Sequence, residues 1–223
     1  MSVVTIRVEV LKAVAPFISK EETRYYLRGA FFSKGLVVTT DGHRLAALNP
    51  VNDPNDWAAE SPDFILPEET IKKIMSVKPS GKYAKLFVAL DTKTNIATVF
   101  EKDKDNNRDT KAAFPYEPID GTYPDFRRVI PKPENFLFPR NLIKEGGTEI
   151  KQGFNSKYLG EFSSFGKEVT LYMNIEQYAP CLFRAKTEIF DAVGVLMPMR
   201  VSYHEGAIIP DWLKPAKAEG AKA

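Results

Sequence analysis

The side chains with the most potential for chemistry lie in one short stretch, in which Asp41 and His43 flank Gly42 and Arg44 follows. Asp and His can form an acid–base pair, but Asp-Gly is also typical of a tight hairpin turn that the aspartate supports. The sequence has no phosphate-binding glycine loop, no Gly-x-Ser-x-Gly elbow and no His-Glu-x-x-His pair. We therefore expect that the protein is not an enzyme, and that His43 and Arg44 matter only if other segments converge on them.

The composition favours a globular protein that needs no metal and no cofactor. Its 223 residues are 43% hydrophobic and 27% charged, enough for one large domain and a smaller piece. Cys181 is the only cysteine, which excludes a disulfide framework or cysteine-based metal cluster within the chain, and it is expected to be a small buried hydrophobe. Without a long apolar run or a signal-peptide pattern, we expect a cytoplasmic protein that does not bind membranes. The net charge of +2 does not by itself indicate nucleic-acid binding.

The turn at Asp41-Gly42 is predicted to join two strands inside a β-α-β-β-β unit. Strand 2–7 comes first, followed by a helix to about residue 19, in which Pro16 predicts a kink or an early end. Segment 24–32 is rich in aromatic strand formers and is predicted to be the strand before the hairpin. The unit therefore presents the turn at the end of a sheet.

The same order of elements is predicted to recur. In a second unit, Pro67 opens a helix with Glu68 and Glu69 in its first turn. The predicted elements of this second unit are strand 64–66, helix 67–78 and strands 85–90, 96–101 and 111–114. A stiff, extended proline-rich bridge is predicted at 123–133. A third unit follows, with strand 148–154, helix 156–162 and strands 168–173, 181–186 and 191–199. These units predict a complete domain over 1–131, a partial domain over 132–201 and a flexible extension over 202–223.

Four separated motifs give the chain a family resemblance. They are Arg24-Tyr25-Tyr26-Leu27, residues 40–46 (Thr-Asp-Gly-His-Arg-Leu-Ala), residues 123–131 (Tyr-Pro-Asp-Phe-Arg-Arg-Val-Ile-Pro) and residues 195–201 (Val-Leu-Met-Pro-Met-Arg-Val). Together with the repeated units, they resemble the bacterial sliding clamp, the β subunit of DNA polymerase III. The resemblance covers residues 1–201 and matches the middle domain and the second half of the C-terminal domain. It implies an α+β DNA clamp fold.

The resemblance implies a pocket for short linear peptides of DNA polymerase and other clamp-binding proteins. Its Leu, Val and Met side chains would form an apolar cleft, with His43, Arg44 and Arg200 at the margin to meet polar peptide ends. The implied pocket residues are Leu27, Thr40, Gly42, His43, Arg44, Leu45, Pro124, Arg128, Val129, Val195, Met197, Pro198, Met199 and Arg200.

The resemblance also implies contacts with duplex DNA without sequence preference, made to phosphates by helices that face the hole of a ring. The candidate DNA-facing residues are Lys12, Lys20, Arg24, Tyr25, Lys72 and Lys73. Glu68 and Glu69 depart from the family, in which basic residues are common here, and carboxylates are expected to repel phosphate. No ATP is expected to bind, because a separate clamp loader does that work in the family.

Two further departures suggest hypotheses about assembly. Family members end soon after the Met-Pro-Met-Arg motif, whereas this chain continues; segment 208–213 (Ile-Ile-Pro-Asp-Trp-Leu) either folds back into the pocket or is disordered. Because half a domain has no counterpart, the third unit would expose a sheet edge and an apolar helix stripe. Pairing of third units between two chains would cover both, so a homo-oligomer is expected.

Two functions remain open at this point. The first is a sliding clamp or polymerase processivity factor that binds replication proteins and encircles DNA. The second is a clamp-derived regulatory protein that binds clamp partners, or a full-length clamp, without encircling DNA. A closed ring that stays on circular DNA and slides off linear DNA would distinguish the first from the second.

Overall fold

The computed structural model describes residues 3–51, 57, 61–81, 84–103, 107–136 and 152–200. The α-helices in these ranges are Val8–Val14 (α1), Glu68–Ser76 (α2) and Ser156–Glu161 (α3), and the strands are Val3–Arg7 (β1), Gly29–Ser33 (β2), Leu36–Thr40 (β3), Arg44–Pro50 (β4), Phe64–Pro67 (β5), Leu86–Asp91 (β6), Ile96–Lys102 (β7), Arg108–Pro115 (β8), Thr170–Tyr172 (β9), Cys181–Lys186 (β10) and Phe190–Leu196 (β11). The strands form two antiparallel sheets, ordered β1-β6-β7-β8 and β5-β2-β3-β4-β11-β10-β9. The predicted α+β class is confirmed.

The first two units exchange their first strands. Strand β1 pairs with β6 of the second unit, so that Val3 lies opposite Asp91, and β5 pairs with β2 of the first unit, so that Gly29 lies opposite Pro67. Helices α1 and α2 lie against these sheets with buried apolar side chains such as Leu11 and Ile71. Each unit therefore completes the sheet of the other, and neither has a whole sheet alone.

Helix α1 ends at Val14, and a 3-10 turn with Pro16 follows over Ala15–Phe17. The predicted early end is confirmed, because proline cannot donate the next helical hydrogen bond. The carbonyl of Val14, at the end of the helix, accepts a hydrogen bond from the Thr39 hydroxyl at 2.9 Å.

The prediction of a strand from residue 24 is wrong in its first half. Residues Glu22–Leu27 form 3-10 turns with a kink at Arg24, and β2 begins at Gly29. Two backbone bonds close the turn: the N–H of Ser19 donates to Leu27 at 3.1 Å, and that of Arg28 donates to Tyr25 at 3.0 Å. Strand propensity is overruled here by a tertiary contact with the end of the preceding turn.

The predicted hairpin forms between β3 and β4, but its central residues are Gly42 and His43. The Asp41 N–H donates to the Arg44 carbonyl at 3.4 Å, which places Asp41 and Arg44 as the closing pair. Gly42 has φ +90°, a value that residues with a side chain rarely adopt and that glycine takes readily. The hairpin follows the sequence pattern with the turn shifted by one residue.

The proline-rich bridge is more compact than predicted. Residues Phe126–Val129 and Pro133–Asn135 are short 3-10 helices, so the expectation of an extended bridge is wrong for those stretches. Ile130 and Lys132, which precede prolines, are extended as predicted. The Asp125 carboxylate accepts a hydrogen bond from the Arg127 N–H at 3.3 Å, and this cap starts the first turn.

The third unit continues the sheet of the first. Strand β11 pairs with β4 along its length, from Phe190 opposite Pro50 to Leu196 opposite Arg44. Phe162, in the turn after α3, packs edge-on against Phe17 with centroids 4.9 Å apart. The prediction of an exposed sheet edge and helix stripe is therefore wrong at β11 and at this turn, because the first unit covers both.

Parts of the third unit lie outside the described residues. Of the predicted strand 148–154, the described residue Gly153 forms an isolated bridge with Met199. Phe136 forms another bridge with Asn174, just beyond β9. Strand β11 ends at Leu196, earlier than the predicted residue 199, and segment 208–213 is not described. Cys181 is buried as expected, and burial raises the pKa of its thiol.

Candidate functional site

A cavity of about 260 Å³ lies where the first unit, the bridge and the third unit meet. Four segments form its walls: the turn before β2, the tip of the β3–β4 hairpin, the first 3-10 helix of the bridge and the end of β11. The residues that line it are Arg24, Tyr26, Leu27, Thr40, Gly42, His43, Arg44, Leu45, Pro124, Asp125, Phe126, Val129, Val195 and Met197. We call this cavity the junction pocket.

Most of the residues that the resemblance implied for a pocket meet here. They are Leu27, Thr40, Gly42, His43, Arg44, Leu45, Pro124, Val129, Val195 and Met197. Four others do not line it. Arg128 lies in a neighbouring groove that shares Val129 and Met197 with the junction pocket. Pro198, Met199 and Arg200 lie beyond the end of β11, with the Arg200 guanidinium 6.0 Å from the Tyr178 ring centroid.

Sequence reasoning missed Tyr26, Asp125 and Phe126, and it assigned Arg24 to DNA. All of these residues lie inside motifs that carried the resemblance, so the motifs were the available signal. Arg24 reaches the pocket by crossing the hairpin tip, where its Nη1 lies 2.6 Å from the position that a Cβ on residue 42 would occupy. Gly42 therefore serves both the turn and the passage of Arg24.

The floor of the junction pocket is apolar and continuous with a second core cluster. Leu27, Leu45, Val195 and Phe126 are buried members of that cluster. Above the floor, Val129 and Met197 leave 46% and 40% of their surface exposed. Exposed apolar side chains over an apolar floor offer a surface that gains free energy when another apolar group covers it.

Arg44 is not at the margin, where the sequence placed it. Only 5% of its side chain is exposed. Its Nε donates to Asp41 Oδ2 at 3.0 Å and its Nη2 to the Pro16 carbonyl at 2.7 Å, while Nη1 forms an ion pair with Glu161 of α3. The guanidinium carbon also lies 4.2 Å from the Tyr158 ring centroid. Arg44 therefore joins the hairpin to the third unit through two side-chain hydrogen bonds and one ion pair.

Asp41 organises the hairpin tip. Its Oδ1 accepts hydrogen bonds from the backbone N–H groups of His43 and Arg44, at 2.9 and 3.0 Å. The carbonyl of His43 accepts from the Met197 N–H at 2.9 Å, which ties the tip to the end of β11. The His43 side chain is exposed, so it and Arg24 are the basic groups at the rim of the pocket.

The helix surface predicted to face DNA carries a compact ion cluster. Glu68 is buried, and it pairs with Lys20 and with Lys72, the latter at 2.9 Å. Burial opposes ionisation of Glu68, but the hydrogen bonds from both lysines outweigh this effect and lower its pKa. The expected repulsive charge of Glu68 is therefore balanced within the protein, and Glu69 is exposed instead.

The remaining DNA-facing candidates lie on the surface. Lys12 and Lys73 are exposed on α1 and α2. Tyr25 is 53% exposed and packs edge-on against Tyr26, with centroids 5.7 Å apart. Within the described ranges, no helix is both long and apolar enough to cross a membrane, and no cluster of His, Cys, Asp or Glu has the arrangement of a metal site.

The sequence is similar to curated β sliding clamps, although no family model matches it. It is 27% identical over 164 residues to the clamp of Salmonella typhimurium, covering 72% of this chain and 39% of that protein. It is 35% identical over 124 residues to the clamp of Caulobacter vibrioides, covering 52% of this chain and 30% of that protein. The chain thus spans about a third of the length of the curated relatives it matches.

Solved structures agree in fold. A DNA polymerase III β subunit from Borrelia burgdorferi matches 90% of this chain and 63% of its own, with a TM-score of 0.62 and 19% identity. A Helicobacter pylori β clamp bound to a DNA ligase peptide matches 89% of this chain and 66% of its own, with a TM-score of 0.57 and 19% identity. The chain is therefore similar in sequence to part of the DNA polymerase III β clamp, and it has the fold of the sliding clamp.

Proposed function

We propose that the junction pocket binds short linear peptides through apolar anchor side chains. The observation that carries this proposal is the position of exposed Val129 and Met197 above the buried floor of Leu27, Leu45 and Val195. A cavity of about 260 Å³ accepts a few side chains rather than a folded domain. Arg24 and His43 at the rim can pair with acidic or carbonyl groups that flank such anchors.

The similar Helicobacter pylori clamp, which was solved with a DNA ligase peptide, supports the same class of ligand here. On this basis the partners are DNA polymerase and other clamp-binding proteins, with a clamp loader for assembly on DNA. The protein acts as a non-enzymatic platform in DNA replication. The two-domain division at residue 131 and the homo-oligomer are parts of this proposal; because the first unit covers β11, the edge of the third unit left for pairing between chains, among the described strands, is β9.

Peptide binding is tested by fluorescence anisotropy with a labelled peptide that carries adjacent Leu and Phe anchors. Met197→Asp places a charge in the apolar pocket and should weaken binding at least tenfold. Met199→Asp is the matched control, because Met199 is similarly exposed, at 46% against 40% for Met197, but lies outside the pocket. An equal loss of peptide affinity in both variants, or no peptide binding by the unaltered protein, would refute the proposal.

A second candidate is a clamp-derived regulator that binds the same peptides without encircling DNA. The ion cluster of Glu68 with Lys20 and Lys72 favours it, because two lysines expected to meet phosphates already have a carboxylate partner. An assay of protein retention on nicked circular and linearised plasmid distinguishes the two candidate functions. A clamp stays on the circle and slides off the linear DNA, whereas a regulator is retained on neither.

A further inference from the structure

The guanidinium of Arg44 is held by groups from three parts of the chain. Asp41 is on the hairpin, Pro16 lies in the 3-10 turn after α1, and Glu161 ends α3 of the third unit. Nη1, the nitrogen that faces Glu161, has almost no exposed surface. Arg44 therefore lines the junction pocket while its charged atoms point into an ion cluster.

The charges of this cluster determine what the pocket wall presents to a ligand. One cation faces two carboxylates, Asp41 and Glu161, so the cluster carries no excess of positive charge. Asp41 has two roles: its Oδ1 accepts from backbone N–H groups at the hairpin tip, and its Oδ2 accepts from Arg44 Nε. Glu161 is the second carboxylate on Arg44, and it is supplied by the unit that also brings Val195 and Met197.

We propose that Glu161 is a positioning residue that sets the selectivity of the junction pocket. Its carboxylate holds the Arg44 guanidinium away from the ligand and gives the cluster its net negative charge, so that the pocket selects apolar over acidic side chains. This inference rests on the proposed peptide binding. Without the Glu161 charge, Asp41 alone balances Arg44 and the cluster loses its net negative charge, which otherwise repels a ligand acid; in a partly buried site one charge changes affinity by about tenfold, or 1.4 kcal/mol.

The test uses two labelled peptides that differ only in an Asp or an Asn beside the same Leu-Phe anchors. In Glu161→Gln, the preference for the Asp peptide over the Asn peptide should rise about tenfold relative to the unaltered protein. Glu168→Gln is the matched control: it removes the same charge from an exposed position of the third unit and should leave the preference unchanged. In Arg44→Gln/Glu161→Gln, the preference should return to its original value.

The outcomes distinguish failure of the Glu161 assignment from failure of the proposed peptide binding. If the unaltered protein binds and Glu161→Gln leaves the preference unchanged, this assignment fails and the proposed function stands. If the unaltered protein binds neither peptide, the proposed function fails and the assignment fails with it. Should Glu161→Gln not fold, the assignment is tested in the unaltered protein by the NMR resonance of the Arg44 side-chain Nε–H, which is identified by its loss in Arg44→Lys. The chemical shift of this Arg44 resonance should not change as either peptide binds. A change as large as that of the Arg24 Nε–H resonance would overturn the assignment.

Discussion

The first unit is joined to its two neighbours in different ways. With the second unit it exchanges whole strands, so that β1 and β5 each complete the other unit's sheet. With the third unit it shares one line of strand pairing, between β4 and β11, supported by aromatic packing and the ion pair of Arg44 with Glu161. The junction pocket lies at the second joint. A binding site here is built on the joint that can open without dismantling the sheets of the first two units.

The largest expected effect is at the strand-exchange joint. A Cβ on Gly29 would overlap the backbone carbonyl of Leu66 on β5, and a backbone atom in a sheet cannot move cheaply. Gly29→Ala should therefore lower the free energy of unfolding by about 3 kcal/mol, as overpacking does at its upper range. Urea denaturation measures this change. Hydrogen exchange should show faster opening in both of the first two units. A loss of amide protection confined to one unit would contradict the exchange of strands between them.

The matching change at the other joint is Gly194→Ala on β11. A Cβ there would lie 2.9 Å from a ring carbon of Phe165 and closer still to Phe162. We expect a loss of about 2 kcal/mol, because side chains yield more readily than backbone. Hydrogen exchange should rise in residues 152–200 alone, and peptide binding should weaken. Gly160→Ala in α3 is the control: its Cβ meets open space, and it should stabilise by about 0.5 kcal/mol. Faster exchange throughout the protein would contradict a separable joint.

How far the sequence predicts this structure depends on how local each feature is. The hairpin, the short α1 and the order of strands follow from Asp-Gly, Pro16 and apolar alternation. The strand exchange and the turn before β2 do not, because they depend on contacts such as Ser19 with Leu27 that propensity does not encode. Arg44 shows the same limit. An arginine beside a turn is usually exposed, whereas this one is buried against Glu161 and the Pro16 carbonyl, which are distant in the sequence.

The segment after Arg200 carries apolar side chains that could compete with a peptide for the junction pocket. If Ile208, Ile209, Trp212 or Leu213 occupies the junction pocket, its attachment near the pocket gives it a high effective concentration. Deletion of residues 202–223 should then strengthen binding of the anchor peptide by about tenfold in the anisotropy assay. Replacement of Trp212 and Leu213 by serine in the full chain should reproduce the gain. Unchanged affinity in both variants would show that the segment does not compete.

The smallest expected effect concerns the ion cluster of Glu68 with Lys20 and Lys72. The pKa of Glu68 is lowered in the folded state, so ionised Glu68 contributes to the free energy of unfolding. This contribution is complete above the ordinary glutamate pKa, and it is lost as the pH falls from there towards the pKa of the folded state. Both lysines are largely exposed, so the contribution should be below about 1 kcal/mol. Glu68→Gln should reduce the loss of stability on acidification in urea titrations, whereas Glu69→Gln should not. A similar reduction in both variants would contradict the pairing.

The central claim is that a ligand peptide docks at the joint of the first and third units. Methyl resonances of the methionines report on it directly, because Met197 lines the junction pocket while Met75 packs against the core and Met173 contacts Cys181. Titration with the Leu-Phe anchor peptide should shift the Met197 methyl signal to saturation, and the Met75 and Met173 signals should stay in place. Saturable binding that leaves the Met197 signal unmoved would contradict the account.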